Sequence, residues 1–413
     1  MGNETFQRGL TLRSTIVFLA AITVTMVWVL RTELLTGSYA TGGTPPAIAV
    51  GWLLFLAATS ALGQRIWKRL GLTRAELFTI YACMALAVPM ASYGVMRAFL
   101  PHLTVLSYFA QPTNRYTEMW NQLPDWQVVR DDELIRQCYE GSQNEGVPWS
   151  AWLPVLGRWS LLFIAVFVCI TGMLTFFRRR WVEGDRLQFP ILYLPTQILP
   201  KPGEAINLFR NPIFYIGFGG AFLFNLTNVL QAMNPGFPGL GTVTDLGDLF
   251  TEAPWTALRP FRWHHFPQVV GLGYLVNLEV LFSVWFFFLA NKGLAVGARV
   301  FGYDNSNMPY MFEQCSGGYP VMALVLVFMA RKEILGVLRR ALAPNSERAD
   351  RNEILPDWGA ALAFFGGFGF LVCWCVVSGM NGLLAAIFFA TVLGYSLVYA
   401  RIRAEAGIPY CQI

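Results

Sequence analysis

The chain has 413 residues, 55% of them hydrophobic and 13% charged, with a mean hydropathy of +0.46 and a formal net charge of +5. Such a composition excludes an ordinary soluble domain and points to a polytopic membrane protein. The basic residues stand in short clusters at the ends of apolar runs, so the positive charge speaks for membrane orientation and not for nucleic acid.

A bilayer core takes about 20 apolar residues per helix, and about nine runs approach that length. The first, 14–30, follows Arg8 and Arg13, is longer than a signal-peptide core and lacks a small-residue cleavage site, so it reads as a retained span. The second, 45–63, precedes Arg65, Lys68, Arg69 and Arg74, which belong in the cytoplasm. The third, 75–99, carries Pro89 and Gly94, which can kink a helix, and Arg97 near its outer end. Residues 111–150 are polar but interleaved with Trp120, Trp126 and Trp149, as suits an external cap at the interface.

The fourth span, 152–177, ends in Arg178, Arg179 and Arg180, and the following Pro190, Pro195, Pro200 and Pro202 exclude a continuous helix. The fifth is 212–230. Residues 231–266 are rich in glycine and proline and form a second external segment, expected to pack against the first. The sixth span is 269–289 and the seventh 319–330, which leads into Arg331, Lys332, Arg339, Arg340, Arg348 and Arg351. The last two, 358–377 and 383–399, form a hairpin at Asn381 and Gly382 that returns to Arg401 and Arg403.

A single crossing per span would place the basic run after the seventh span outside the cell, against the strongest charge bias in the chain. A half-helix or hairpin within 294–311 supplies the missing crossing and leaves both termini cytoplasmic. The stretch 291–320 carries Lys292, Arg299, Asp304 and Glu313 among five glycines, and reads as broken membrane structure lining a path or site. Its alternative is a cytoplasmic loop with an amphipathic surface helix.

Glu279, with Asn277 two residues before it, falls near the middle of the sixth span. A carboxyl at that depth must face protein, pair or be protonated, which suits a proton-loading group; a hydrogen-bonded structural glutamate is the alternative. Asn225, Asn228 and Gln231 recur every three residues on one face, near Thr227, and can serve either a solute or neighbouring helices. Glu313, Gln314 and Ser316 are expected beside Glu279 and that face. Arg97 balances Glu279, binds an anionic group or snorkels to the headgroups. Asp245, Asp248, His264 and His265 are a weak metal pattern in an external loop, and no metal is expected there. The seven cysteines show no disulfide or zinc spacing; Cys83, Cys169, Cys373 and Cys375 lie in apolar runs where they pack. No nucleotide-binding or hydrolase motif occurs, so no cofactor is expected and transport would run on gradients.

The segments RRWVEGDRLQFP at 179–190, NPG at 234–236, EQCSGG at 313–318 and RAEAGIP at 403–409 together resemble a group of uncharacterised bacterial membrane proteins distantly similar to the oligopeptide transporter superfamily. That resemblance implies proton-coupled uptake of peptides or metal chelates through a core with re-entrant and broken helices. The superfamily has more spans, so the chain reads as a single integral membrane domain belonging to a longer transporter-like chain. The expectation is an all-α bundle of about nine spans with a re-entrant segment, working as a secondary transporter for a small polar solute in the bacterial inner membrane. Its expected partners are membrane lipids, the solute and further copies of itself. The alternatives are a membrane-embedded lipid-modifying enzyme using Asp245, Asp248, His264 and His265, and a noncatalytic subunit with 111–150 as its partner surface.

Overall fold

The computed structural model describes residues 9–36, 47–66, 71–91, 95–141, 146–199, 208–303, 305, 307–342 and 355–407. Among them are eight helices long and apolar enough to cross a membrane, and regular structure is otherwise short helices and one two-stranded hairpin. The protein is therefore an all-α, multi-pass membrane protein. In chain order the helices are α1 Leu12–Thr36, α2 Ala47–Ile66, α3 Arg74–Pro89, α4 Met96–His102, α5 Val105–Tyr108, α6 Tyr116–Gln122, α7 Asp132–Glu140 and α8 Trp149–Arg179. There follow α9 Pro190–Ile198, α10 Pro212–Met233, α11 Pro267–Gly273, α12 Leu278–Val300, α13 Met311–Met329, α14 Arg331–Leu342, α15 Asp357–Val377 and α16 Gly382–Ala406.

The third expected span is not one helix: α3 stops at Pro89, and α4 begins only at Met96. Proline explains the stop, because its ring takes the place of an amide donor and crowds the preceding turn. The chain divides into two compact units, one of residues 1–93, 188–314 and 402–413, the other of 94–187 and 315–401.

In the first unit, α1, α2 and α3 pack around Ala21, Leu53, Ile80 and Met84, all nearly inaccessible. Two polar side chains within this apolar packing are paired, Trp52 Nε1 donating to Thr25 Oγ1 at 2.7 Å and Ser60 Oγ accepting the Leu72 amide at 2.6 Å, while the buried Tyr81 hydroxyl has no hydrogen-bond partner among the described residues. A capping box starts α3, with Thr73 accepting from the Glu76 amide and Glu76 accepting from the Thr73 amide. The other Glu76 oxygen accepts from Thr11 Oγ1 at 2.6 Å, which ties the start of α1 to α3. By contrast α10 buries no residue, and α12 buries only Ala295 and Ala298. Their apolar faces are left to lipid or to other protein.

In the second unit, α8 and α15 form an antiparallel pair in close contact. Gly172 faces Ala360 and Phe364, and Cys169 faces Gly367 one turn away on each helix. Cys169 is fully buried and its thiol donates to the Phe364 carbonyl at 3.4 Å, a packing role. One end of the pair is closed by the segment carrying α6 and α7: Gln127 Nε2 donates to Ser378 Oγ, Trp159 Nε1 donates to the Gln127 carbonyl at 2.9 Å, and Trp126 meets Trp374 edge-on at 4.7 Å. Much of the 111–150 segment is thus a folded cap on its own unit, its α7 started by Asp131 accepting the Glu133 and Leu134 amides. The basic ends of α8, α14 and α16 gather at the other end of the pair.

Candidate functional site

Residues 231–266 build a compact module in the first unit. Strands β1 Val243–Asp245 and β2 Arg262–His264 pair antiparallel, with Asp245 opposite Arg262. Their side chains form a 3.1 Å ion pair, and the other Asp245 oxygen accepts the Gly247 amide at 2.8 Å. These two partners, the amide foremost, hold the Asp245 carboxyl below its usual range. The module is pinned to α10 where the Gly241 amide donates to Asn228 Oδ1 at 2.8 Å. It is pinned to α12 by Lys292, whose Nζ donates to the carbonyls of Leu258 and Pro260, both at 2.8 Å, and by Phe261 against Phe288.

The path between these anchors is the central feature. After Phe266 the chain runs through α11, turns at 274–277, and comes back along α12 to the module at Phe288 and Lys292. Glu279 lies thirteen residues before Lys292, so about 20 Å of helix separates it from the module. The chain doubles back here and not where the charge count placed it. Residues 294–300 simply finish α12, and α13 starts at Met311, so the expected half-helix within 294–311 does not form among the described residues. Gly271 and Gly273 account for the difference, since they weaken the helix that the apolar run 269–289 suggests and let it restart at Leu278.

Glu279 is accordingly in the first turn of α12, with Asn277 at the N-cap, and not at the middle of a span. It is exposed, among Leu278, Leu281, Phe282 and Trp285 of the same helix, and no hydrogen bond or ion pair to its carboxylate is seen among the described residues. The polar groups expected around it make hydrogen bonds of their own, each within its unit. Asn225 Nδ2 donates to the Ala221 carbonyl of its own helix at 2.8 Å, Asn228 serves the module, and Gln231 abuts Gly239. Gln314 donates back to the Pro309 carbonyl at 2.5 Å, Glu313 is exposed, and Ser316, in the second unit, offers its carbonyl to the Tyr395 hydroxyl at 3.2 Å. The Arg97 side chain lies outside the described residues. Among the described residues no group of three or more His, Cys, Asp or Glu could hold a metal: His265 is engaged by Thr244 at 2.9 Å and His264 stacks on Phe266.

Two of the quoted sequence segments meet in space, which their separation in the chain conceals. A π-helical turn, Arg180–Gly184, ends α8 and turns Asp185 toward α16, where Arg401 Nη1 donates to it and the Arg401 guanidinium stands 5.8 Å over the Trp181 ring. Arg180 is 3.7 Å from the same carboxylate and 3.5 Å from Glu333. A little further on, the Phe189 amide donates to the Ala404 carbonyl at 3.0 Å, and Gly407, at φ +59°, leaves only 2.9 Å between an added Cβ and Pro190. The glycine of RAEAGIP is required by both its backbone conformation and this approach.

The fold, with eight helices among the described residues long and apolar enough to cross a membrane, defines a multi-pass helical membrane protein. The chain belongs to DUF6785, a family of unknown function, which it matches over residues 4–413. No curated protein and no solved structure matches it.

Proposed function

We propose that the protein is a secondary transporter of the cell membrane, moving a small polar solute such as a peptide or metal chelate on an ion gradient, with protons as the coupling ion. The observation that carries this reading is the doubled-back path of α11 and α12, which sets a carboxylate at the N-terminus of a broken helix. In transporters, discontinuous helices of this kind place dipole ends and free backbone groups at the solute and ion sites. With the 231–266 module at the outer surface, Glu279 lies about 20 Å below it, inside a hydrocarbon core of about 30 Å.

The same path meets the charge rule. If α11 and α12 enter and leave on the outer side, α13 runs inward and delivers Arg331, Lys332, Arg339 and Arg340 to the cytoplasm, with both termini on that side. A single cysteine at Ala341 should resist an impermeant maleimide in intact cells, and one at Leu240 should react. The reverse pattern removes the topology and, with it, the depth assigned to Glu279.

Uptake is tested in proteoliposomes with a panel of peptides, metal chelates and amino acids, with and without a pH gradient. The expected result is gradient-dependent accumulation of one class, lost in Glu279→Gln while the protein stays folded, since the amide keeps the shape and removes the titrating proton. Gradient-driven uptake by Glu279→Gln at the unmodified rate rejects the coupling role. Failure of every solute class in active, oriented vesicles rejects transport.

A further inference from the structure

At the basic end of the second unit, α8, α14 and α15 enclose a pocket of about 280 Å³ lined by Thr175, Phe176, Arg179, Lys332, Arg340 and Asp357, with Glu333 and Val337. Its charges are not equally committed. Arg340 Nε is 2.5 Å from Asp357, Glu333 is paired with Arg180, and Arg179 reaches Glu183 at 3.2 Å only through an exposed pair. Exposed pairs of that kind contribute little and exchange readily. Lys332 has no polar partner among the described residues. Asp357 is neutralised by Arg340, and Glu333 shares Arg180 with Asp185 while its Oε2 is buried without a hydrogen-bond partner among the described residues, so Lys332 and Arg179 line the pocket as its least committed cations, beside Thr175.

Beside the pocket lies an apolar groove of about 660 Å³, lined by Met173, Ala323, Leu324, Phe365, Ile387 and Thr391 among others. The two linings adjoin without a residue in common. Met173 of the groove is one turn from Phe176 of the pocket on α8, and Phe176 meets Phe364 of the groove edge-on at 5.6 Å. A ligand filling both must be apolar along its length and anionic at its end. A solute that crosses water has no use for the groove, and a hydrocarbon has none for Lys332.

We propose that the pocket and groove together bind one anionic phospholipid, its phosphate against Lys332 and Arg179 and an acyl chain along the groove. Basic pockets at the membrane surface between helices suit lipid phosphates, and each nearby cation adds to the attraction. The lipid would fasten α14, whose Arg331–Leu342 sequence carries its cations at both ends of an apolar stripe, to the ends of α8 and α15. This site does not depend on the transport reading and lies in the unit that lacks Glu279.

The test is native mass spectrometry of the full chain released from detergent, with matched phosphatidylglycerol, phosphatidylcholine and inorganic phosphate offered separately. Phosphatidylglycerol should be retained several-fold over phosphatidylcholine. Lys332→Gln and Arg179→Gln should each lower its retention by about fivefold, Lys332→Arg should keep it, and phosphatidylcholine should be unchanged throughout. Thr391→Phe, which fills the groove from an exposed position, should lower retention of both lipids. Equal retention of the two lipids, undiminished phosphatidylglycerol in the Lys332→Gln/Arg179→Gln protein, or displacement of the lipid by inorganic phosphate at equal concentration overturns the proposal. Both glutamine variants change exposed side chains, and an unchanged melting transition separates loss of the site from loss of the fold.

Discussion

Lys292 on α12 donates to the carbonyl of Leu258 at 2.8 Å, a side chain thirty-four residues downstream holding a backbone turn against that helix. With the second bond, to Pro260, it satisfies two carbonyls at once and fixes the level at which α12 passes the module. Hydrogen bonds from a charged donor are worth about 1.5–3 kcal/mol each where they are shielded from water. Lys292→Met keeps the chain length and loses both. Amide exchange at residues 255–262 is expected to quicken by tenfold or more while exchange in α1 to α3 stays as before. Unchanged exchange at 255–262 would show that Phe261 against Phe288 is sufficient to hold the module.

The pH response of the module follows from Asp245. Its folded pKa lies below the ordinary carboxylate value of about 4, because the Gly247 amide and the Arg262 guanidinium favour the charged form. A depressed carboxyl contributes stability above its unfolded pKa and loses it as pH falls through the folded value. The hairpin is therefore expected to be firm at neutral pH and to loosen in acid below about pH 4. The Trp263 contribution to tryptophan fluorescence, taken as the difference from a Trp263→Phe protein, should report that transition. In Asp245→Asn the acid step should vanish and the hairpin should already be looser at pH 7.

Asp185 gathers two arginines, Arg401 and Arg180, with all three side chains a quarter exposed or less. Removing one partner from a largely buried cluster costs more than the cluster itself stabilises, because the others are left uncompensated. Asp185→Asn is expected to lower stability by about 2–3 kcal/mol. The double variant Asp185→Asn/Arg401→Gln should recover part of that loss, since one stranded charge goes with its partner. A double variant less stable than the unmodified protein by the full sum of the two single losses would show that the two residues do not interact.

The spans were legible in the sequence because a membrane helix is announced by run length, and length adds residue by residue along one stretch. Placing the functional groups needed something the runs do not carry. Glu279 looks central in the apolar run 269–289, yet Gly271 and Gly273 end one helix and Leu278 starts another, so its depth depends on how the module grips Lys292. The charge count asked for one more crossing and set it within 294–311, whereas the turn at 274–277 falls inside the sixth run itself; charge alone does not locate such a turn. Asp185 and Arg401 stand 216 residues apart, and neither lies in a pattern that names the other. Asn228 shows why a polar stripe is ambiguous: the same spacing that suits a solute serves to receive the Gly241 amide.

The contact between α8 and α15 makes the sharpest prediction, since it pairs a forbidden methyl with a permitted one. A Cβ at Gly172 would stand 2.6 Å from the Phe364 amide nitrogen and 2.7 Å from the Ala360 carbonyl oxygen, backbone atoms that cannot swing aside. A Cβ at Gly51, in the second turn of α2, would meet nothing within 4 Å. Alanine relieves the unfolded-state entropy of glycine and favours a helix by roughly 0.5–1 kcal/mol, and at Gly51 nothing opposes that gain. At Gly172 the same gain is set against overpacking of about 1–3 kcal/mol, which requires the two helices to part. Gly51→Ala is therefore expected to raise the melting temperature in detergent slightly and Gly172→Ala to lower it. Opening the pair should also expose the buried Cys169 thiol, so Gly172→Ala should react faster at that position with a permeant maleimide. Equal stabilisation by both substitutions would mean that α8 and α15 are not in the close register described.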